Sequence, residues 1–328
     1  MKVFISILLV VYAYSFSFAQ HTFSIVAVDA VTGEIGSAGA TCGDSIVWPT
    51  TKGAVIISDI IPGVGAIHTQ ALYISANQNN ARNRMTSFAE SPQQIINYLQ
   101  SNDAGSNPAV RQYGIVDYNN GSPRSAAFTG ANCLDYKNHI TGPDYSIQGN
   151  ILLSQAILDS MEAKYLNTTG SLAERLMAAM QGAKVIGADT RCTPDGVSSL
   201  SSFLRVAKPT DSTDLFIDLV VAGTADGVDP IDALQNKYNN WKINNPPTNI
   251  YNIKNHHYKV YPSIINKVFY IDNLTYEWVN VTVHDMHGKL VYEGRHAGSK
   301  DPIDSSNWPM GSYIVTFKNH YAVKVVKP

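Results

Sequence analysis

The sequence predicts an α+β domain followed by a small all-β domain. Three observations lead there. Strand-like and helix-like stretches come in blocks, in the order strands, helices, strands, helices, strands, which favours packed layers with antiparallel sheets over a doubly wound parallel fold. Residues 244–257 are mostly Asn, Pro and other polar side chains and include Pro246-Pro247, the composition of a linker. After them only short strand-like runs follow. A four-layer αββα sandwich fits the block order of the first domain, although the pattern of blocks does not by itself single it out.

The chain opens on a processing signal. Lys2 supplies a charge, Val3 to Val11 a short apolar run and Ser17-Phe18-Ala19 a small-x-small cleavage site, so residues 1–19 read as a signal peptide and Gln20 as the first residue left behind. The run is shorter than the ~20 apolar residues that span a bilayer, and no later segment reaches that length. An exported protein with no transmembrane segment is expected. Its 328 residues leave room for one large and one small domain, on a prior of roughly 100–200 residues each. The formal net charge of -2, with no Lys/Arg-rich run, gives no electrostatic footprint for nucleic acid or an anionic membrane.

Thr22 to Asp29, rich in β-branched residues, and Glu34 to Thr41 form the first predicted hairpin, with its corner at Thr32-Gly33. The second arm is a run of tiny residues, Gly36-Ser37-Ala38-Gly39-Ala40, and glycines inside a strand mark close approach of another backbone or a ligand. Ala54–Ile57 and Ala66–Gln70 read as further strands, separated by Pro62-Gly63 and Gly65. Helical patterns then take over. Ser91-Pro92 with Gln94 starts a helix by a capping box and a first-turn proline, and Ile95, Ile96 and Leu99 are its apolar face. Arg111–Asp117 and Ser125–Thr129 flank Asn120-Gly121, a strong hairpin signal. Residues 130–149 read as a loop. Leu153, Ile157, Leu158, Met161 and Tyr165 recur at helical spacing, and a second helix opens on the capping box Ser171-Leu172-Ala173-Glu174. Ser199–Val206 and Leu215–Val221 are strands, and Asp229–Trp241 a closing helix. In the last part, Val268–Ile271, Trp278–Val283, Lys289–Tyr292 and Tyr313–Phe317 read as the strands of a small β-sandwich.

The three cysteines, Cys42, Cys133 and Cys192, allow one bridge and one free thiol in an exported chain and leave open which. Their spacing fits no zinc pattern, and His256-His257 lies in the polar linker, so neither metal nor cofactor is expected.

A β-branched strand headed by a threonine and paired with a strand of tiny residues has the layout of an N-terminal-nucleophile (Ntn) hydrolase. From Thr22 to about residue 243 the chain resembles the DUF1028 family of that superfamily. The likeness rests on Thr22–Ala27, Gly63–Ala66 with Thr69-Gln70, Gln112–Asp117, Thr129-Gly130 with Cys133 and His139, Thr141-Gly142, Tyr145–Asn150 and Asp189. From about Tyr258 it resembles the C-terminal sorting domain of the type IX secretion system, through Val260-Tyr261-Pro262, Val281–Asp285, Gly288–Tyr292, Trp308–Val315 and Lys324–Lys327. Here Tyr261-Pro262-Ser263-Ile264 stands where an Asn-Pro pair is usual. The resemblances imply an Ntn-hydrolase-like domain over residues 20–243 and, after a linker at 244–257, an immunoglobulin-like sorting domain over 258–328. They also imply the type IX machinery as a partner, and secretion or attachment at the outer-membrane surface.

The family's reaction is not settled. In an Ntn hydrolase the first residue's hydroxyl attacks an amide carbonyl and its own α-amine takes the proton. The resemblance implies Thr22 as nucleophile, Asn150 as oxyanion donor, and Thr69 and Asp189 as groups that orient nucleophile or substrate. Arg191 would bind a substrate carboxylate, and Lys52 is a further candidate for tuning the nucleophile. Blander roles stand beside these: Asn150 capping the following helix, Asp189 capping a turn or pairing with Arg191, His68 and His139 as hydrogen-bonded core residues. Cys133 matches the family, whereas Cys42 and Cys192 do not and arrive together, which suggests that they are bridged to each other. Gln20 and His21 stand ahead of Thr22, so a second trimming step must expose it or the domain does not use this mechanism. Two functions follow: an amide hydrolase for a small molecule or peptide, or a non-catalytic surface binding protein on the same fold.

Overall fold

The computed structural model describes residues 22–46, 52–245, 258–273, 278–298, 300–317 and 321–328. The predicted signal peptide, Gln20, His21 and most of the predicted linker lie outside them. The chain divides between residues 246 and 247 into two compact units.

The first unit contains β1 (Thr22–Val28), β2 (Ile35–Thr41), β3 (Ser58–Ile61), β4 (Gly65–Ala71), α1 (Ser75–Ser87), α2 (Pro92–Ser101), β5 (Arg111–Asp117) and β6 (Arg124–Thr129). It continues with β7 (Asn138–Thr141), β8 (Tyr145–Gly149), α3 (Ala156–Asn167), α4 (Leu172–Gly182), β9 (Ser201–Ala207), β10 (Ile217–Val221) and α5 (Pro230–Asn244). Six strands form one sheet in the order β10-β9-β2-β1-β8-β7 and four form another, β3-β4-β5-β6. All pairings are antiparallel.

Alternation along each strand decides what each sheet face meets. Phe23, Ile25, Ala38, Ala40, Ile147 and Leu204 look outward from the six-stranded sheet onto Leu158, Leu172, Leu176 and Leu234 of α3, α4 and α5. The neighbours Val26, Val28, Ile35 and Ala207 look the other way, onto Ile60, Ala66 and Val116 of the four-stranded sheet. That sheet's far face carries Ile67, Tyr113 and Ile115 and is covered by Met85, Ile95, Ile96 and Leu99 of α1 and α2. The layers therefore run helices, sheet, sheet, helices. The tiny residues of β2 belong to this packing: a side chain on Gly36 would meet Leu176 and Leu172 of α4. Both capping boxes form. Gln94 accepts from the Ser91 N–H at 3.0 Å, and Glu174 from the Ser171 N–H at 3.0 Å.

Three stretches differ from the sequence expectation. Ala54–Ile57, expected as a strand, belongs to a 3-10 turn, Gly53–Ile57. Lys52 before it and its first residue, Gly53, lie in the left-handed region (φ 57° and 78°), and Ser201 Oγ takes the Ala54 N–H at 3.0 Å, so tertiary contacts override β-propensity. Residues 130–149, expected as a loop, contain β7 and β8, and β8 pairs directly with β1. Its Ser146 and Gln148 are polar because they face a buried polar layer, not because they face water. Finally α1 has no apolar stripe to announce it, since Asn77, Ala81 and Met85 are its buried residues.

In the second unit, β11 (Tyr258–Tyr261), β12 (Val268–Asn273) and β15 (Asp301–Asp304) make a three-stranded sheet in the order β11-β12-β15. A four-stranded sheet holds β13 (Val279–Asp285), β14 (Leu290–His296), β16 (Gly311–Phe317) and β17 (Tyr321–Lys327), in the order β14-β13-β16-β17. The two share a core of Phe269, Ile271, Val281, Val283, Ile303, Val315 and Phe317. Lys327 Nζ ties the last strand to the loop between β15 and β16 through the carbonyls of Ser305 (2.6 Å), Ser306 (3.0 Å) and Trp308 (2.7 Å).

The close seat of α4 on β2 gives a stability prediction. Gly36→Val forces Leu172 and Leu176 aside and is expected to cost about 1–3 kcal/mol. Urea unfolding should show a lower midpoint at unchanged slope, with Gly36→Ala between it and the parent.

Candidate active site

The layer between the two sheets changes character along its length. At the β1–β2 hairpin end it is apolar. Toward Thr22 it becomes a closed hydrogen-bond network. Ser24 Oγ donates to Gln70 Oε1 at 2.6 Å, and Gln148 Nε2 donates to Ser24 Oγ at 2.7 Å. Ser146 Oγ donates to Gln148 Oε1 at 2.8 Å. His68 bridges Ser37 Oγ (2.5 Å) through Nε2 and Gln148 Nε2 (3.1 Å) through Nδ1. Burial, aided by the Arg205 charge, lowers the His68 pKa to about 3, so the ring is neutral.

Gln112 of β5 is the hub at the Thr22 end. Its Oε1 accepts from Gln70 Nε2 (2.8 Å) and Asn150 Nδ2 (2.9 Å). Its Nε2 donates to Thr129 Oγ1 (2.9 Å), the Asn138 carbonyl (3.1 Å) and the Gly149 carbonyl (2.9 Å). Gln70 Nε2 and the Asn150 N–H both donate to the Thr22 carbonyl, at 3.0 and 3.2 Å. Thr22 itself is 1 % exposed, and its Oγ1 has no hydrogen-bond partner among the described residues. The chain leaves β4 through Ala71 (φ 80°) and β8 through Ile151 (φ 53°), just after Gln70 and Asn150. Each such non-glycine residue carries about 1–3 kcal/mol of backbone cost.

Asp189 and Arg191 reach the same end of the sheet from the other side. Thr41 pairs with Thr22 across β1 and β2. Arg191 Nη2 donates to Thr41 Oγ1 at 3.3 Å and to Asp189 Oδ2 at 2.6 Å, and its Nε donates to Asp189 Oδ1 at 2.9 Å. The buried Asp189 carboxylate also accepts the Cys42 N–H at 3.0 Å. Cys42 and Cys192 are joined by a disulfide, and Cys133 is a buried free thiol.

Thr22, Asn150, Asp189 and Arg191 are thus brought to one end of the six-stranded sheet. Thr69 is not. It shares the helix-facing side of β4 with Ile67, while His68 and Gln70 take the inter-sheet side, so Thr69, expected to orient nucleophile or substrate, does not face the layer that holds Thr22. A one-residue step along a strand reverses the face, and the side chain that touches Thr22 is Gln70. Asn150 caps no helix, since α3 begins at Ala156. His139 bonds Thr129 Oγ1 at 2.8 Å. Lys52 is exposed and lines an open groove with Asp218, Leu219, Val220, Ala222 and Lys237. Among the described residues Cys42, Cys192 and Asp195 lie close together, but the two sulfurs are bonded to each other and offer no thiolate. Sequence reasoning missed Gln70, Gln112 and Gln148. Their signal was alternation: His68/Gln70, Ser146/Gln148/Asn150 and Thr22/Ser24 repeat every second residue on one face.

Residues 22–234 match the model of a family of unknown function, DUF1028. The chain belongs to this family. Residues 259–327 match the secretion system C-terminal sorting domain, the tail of type IX cargo, and the protein is secreted or attached at the outer-membrane surface. Among the described residues no helix is long and apolar enough to cross a membrane. A DUF1028 crystal structure from Silicibacter pomeroyi superposes with a TM-score of 0.54 at 24% identity, covering 68% of this chain and 90% of that one. Anbu from Hyphomicrobium sp. strain MC1 aligns with a TM-score of 0.34 at 10% identity, over 68% of this chain and 96% of that one. A comparison with curated proteins finds no match.

The neutral His68 gives the DUF1028 domain a pH dependence. The unfolded chain protonates this histidine near its ordinary value of 6.5, whereas the folded chain resists until about 3. Its contribution to stability is complete above about pH 6.5 and is lost as the pH falls toward 3, with a slope approaching about 1.4 kcal/mol per unit. Urea titrations at successive pH values should show this slope, and His68→Gln should lack it.

Proposed function

We propose that this protein is an exported Ntn-type amide hydrolase for a small-molecule or peptide substrate, built on a four-layer αββα domain and delivered by an immunoglobulin-like sorting domain. The observation that carries this is the unpaired, buried Oγ1 of Thr22 at the head of the central strand, beside Asn150. Leaving a buried hydroxyl unpaired costs about 1–3 kcal/mol, and a reacting atom would be its partner. Once the residues before Thr22 are removed, Oγ1 attacks the substrate carbonyl and the Thr22 α-amine takes the proton. The Asn150 amide, held by Gln112, stabilises the oxyanion. The proton passes to the leaving amine, and water then cleaves the acyl-threonine ester. Asp189 and Arg191 border the site, and the partly exposed Arg191 guanidinium would meet a substrate carboxylate there.

A second reading, a non-catalytic binding protein, draws support from the Asp189–Arg191 pair, whose charges already neutralise each other, and from the predicted start at Gln20, which leaves Thr22 internal.

Intact-mass analysis of the secreted protein, before and after a hydroxyl-acylating β-lactone, separates the two. The hydrolase reading expects a chain beginning at Thr22 and a single adduct on it, kept in Thr22→Ser and lost in Thr22→Ala. A chain that keeps Gln20 or its pyroglutamate and takes up no lactone overturns that reading.

A further inference from the structure

The Cys42–Cys192 bond, with Cα atoms 5.6 Å apart, joins the residue after β2 to the end of the short turn Thr190–Cys192. Several contacts converge on that turn. The Cys42 N–H is held by Asp189, and Asp189 is held bidentately by Arg191. Arg191 reaches Thr41, and Thr41 lies opposite Thr22. The Asp189 backbone bridges to Leu152, two residues beyond Asn150. The turn thus touches both strand ends that frame Thr22.

A fully buried carboxylate is tolerated only while its partners stay in place. Here the main cationic partner is partly wet, since the Arg191 side chain is 32% exposed against 0% for Asp189, and solvent weakens its hold. A single 3-10 turn has little cohesion of its own. The covalent tie is the disulfide, which joins residues 150 apart in sequence and keeps the turn beside Cys42 whenever its hydrogen bonds open.

We infer that the Cys42–Cys192 bond is an export-dependent lock on the Asp189–Arg191 turn. The chain is made as a dithiol in a reducing cytoplasm, and the turn is fixed over the Thr22 end only after oxidation in the cell envelope. The step is thiol–disulfide exchange with an envelope protein disulfide. One cysteine thiolate attacks the oxidant's disulfide, and the other resolves the mixed disulfide. The two electrons and two protons end on the oxidant as two thiols. The lock concerns order at this end of the sheet and holds whether or not Thr22 is a nucleophile.

Hydrogen exchange read by mass spectrometry tests it on the full exported chain in three forms: oxidised, reduced by a phosphine with thiol counting, and Cys42→Ser/Cys192→Ser. Exchange at residues 41–43 and 187–200 should be at least tenfold faster in the reduced and variant forms, with β4, β5 and the middle of β1 unchanged. Oxidised glutathione should restore slow exchange to the reduced protein and not to the variant. Equal exchange in all three forms overturns the inference, because the carboxylate contacts would then hold the turn unaided. Acceleration spread evenly over all strands also overturns it, because the bond would then staple the whole domain.

Discussion

Amides and hydroxyls shut between two sheets must find partners there, because each one left unpaired costs about 1–3 kcal/mol. That requirement governs the Thr22 end of this domain. Gln112 meets it with both ends of one amide, taking hydrogen bonds from Gln70 and Asn150 and giving them to Thr129, Asn138 and Gly149. Strands from both sheets are thereby fixed against each other by polar contacts where an apolar core would have tolerated sliding. Gly114 follows from the same constraint: a side chain there would fall on the Gln148 amide, which Ser24, Ser146 and His68 already hold in place.

The network also sets the register. Slipping any one of β1, β4, β5 or β8 by a single residue would turn its polar set toward the helices and its apolar set into the hydrogen-bond layer. Thr22 and Thr69 illustrate the difference a face makes. Both have buried hydroxyls without a partner among the described residues. Thr22 lies on the side of β1 that carries Ser24, beside Asn150, whereas Thr69 lies on the helix-facing side of β4, opposite Tyr113 of β5.

Much of this was readable in the sequence where local rules and tertiary context agree. The β1–β2 hairpin, the Asn120-Gly121 turn and the capping boxes at Ser91 and Ser171 signal themselves through short-range chemistry. Reading failed where polarity meant burial. Tyr145–Gly149 looks like loop because alternate serine and glutamine usually mark solvent, yet this strand is buried throughout. The helix Ser75–Ser87 is polar on most of its surface and offers no stripe to detect. At the site, the family pattern pointed to the neighbourhood of Thr69-Gln70, but choosing between the two needed the face, and the face needs a partner strand.

The sorting domain and the first domain's chemistry bear on each other. A chain bound for the cell surface passes from a reducing to an oxidising compartment, and the leader expected from the sequence would be removed on the way. Both changes act on the same end of the six-stranded sheet. Removal of the expected leader would set what precedes Thr22, and on the inference above oxidation sets how firmly Asp189 and Arg191 are held against Thr41. Neither depends on the tail's own fold, whose core of Phe269, Val281 and Phe317 is separate. On the hydrolase reading, the Thr22 end therefore stays incomplete until the chain has left the cytoplasm, which would spare the cytoplasm an acylating threonine without any separate inhibitor.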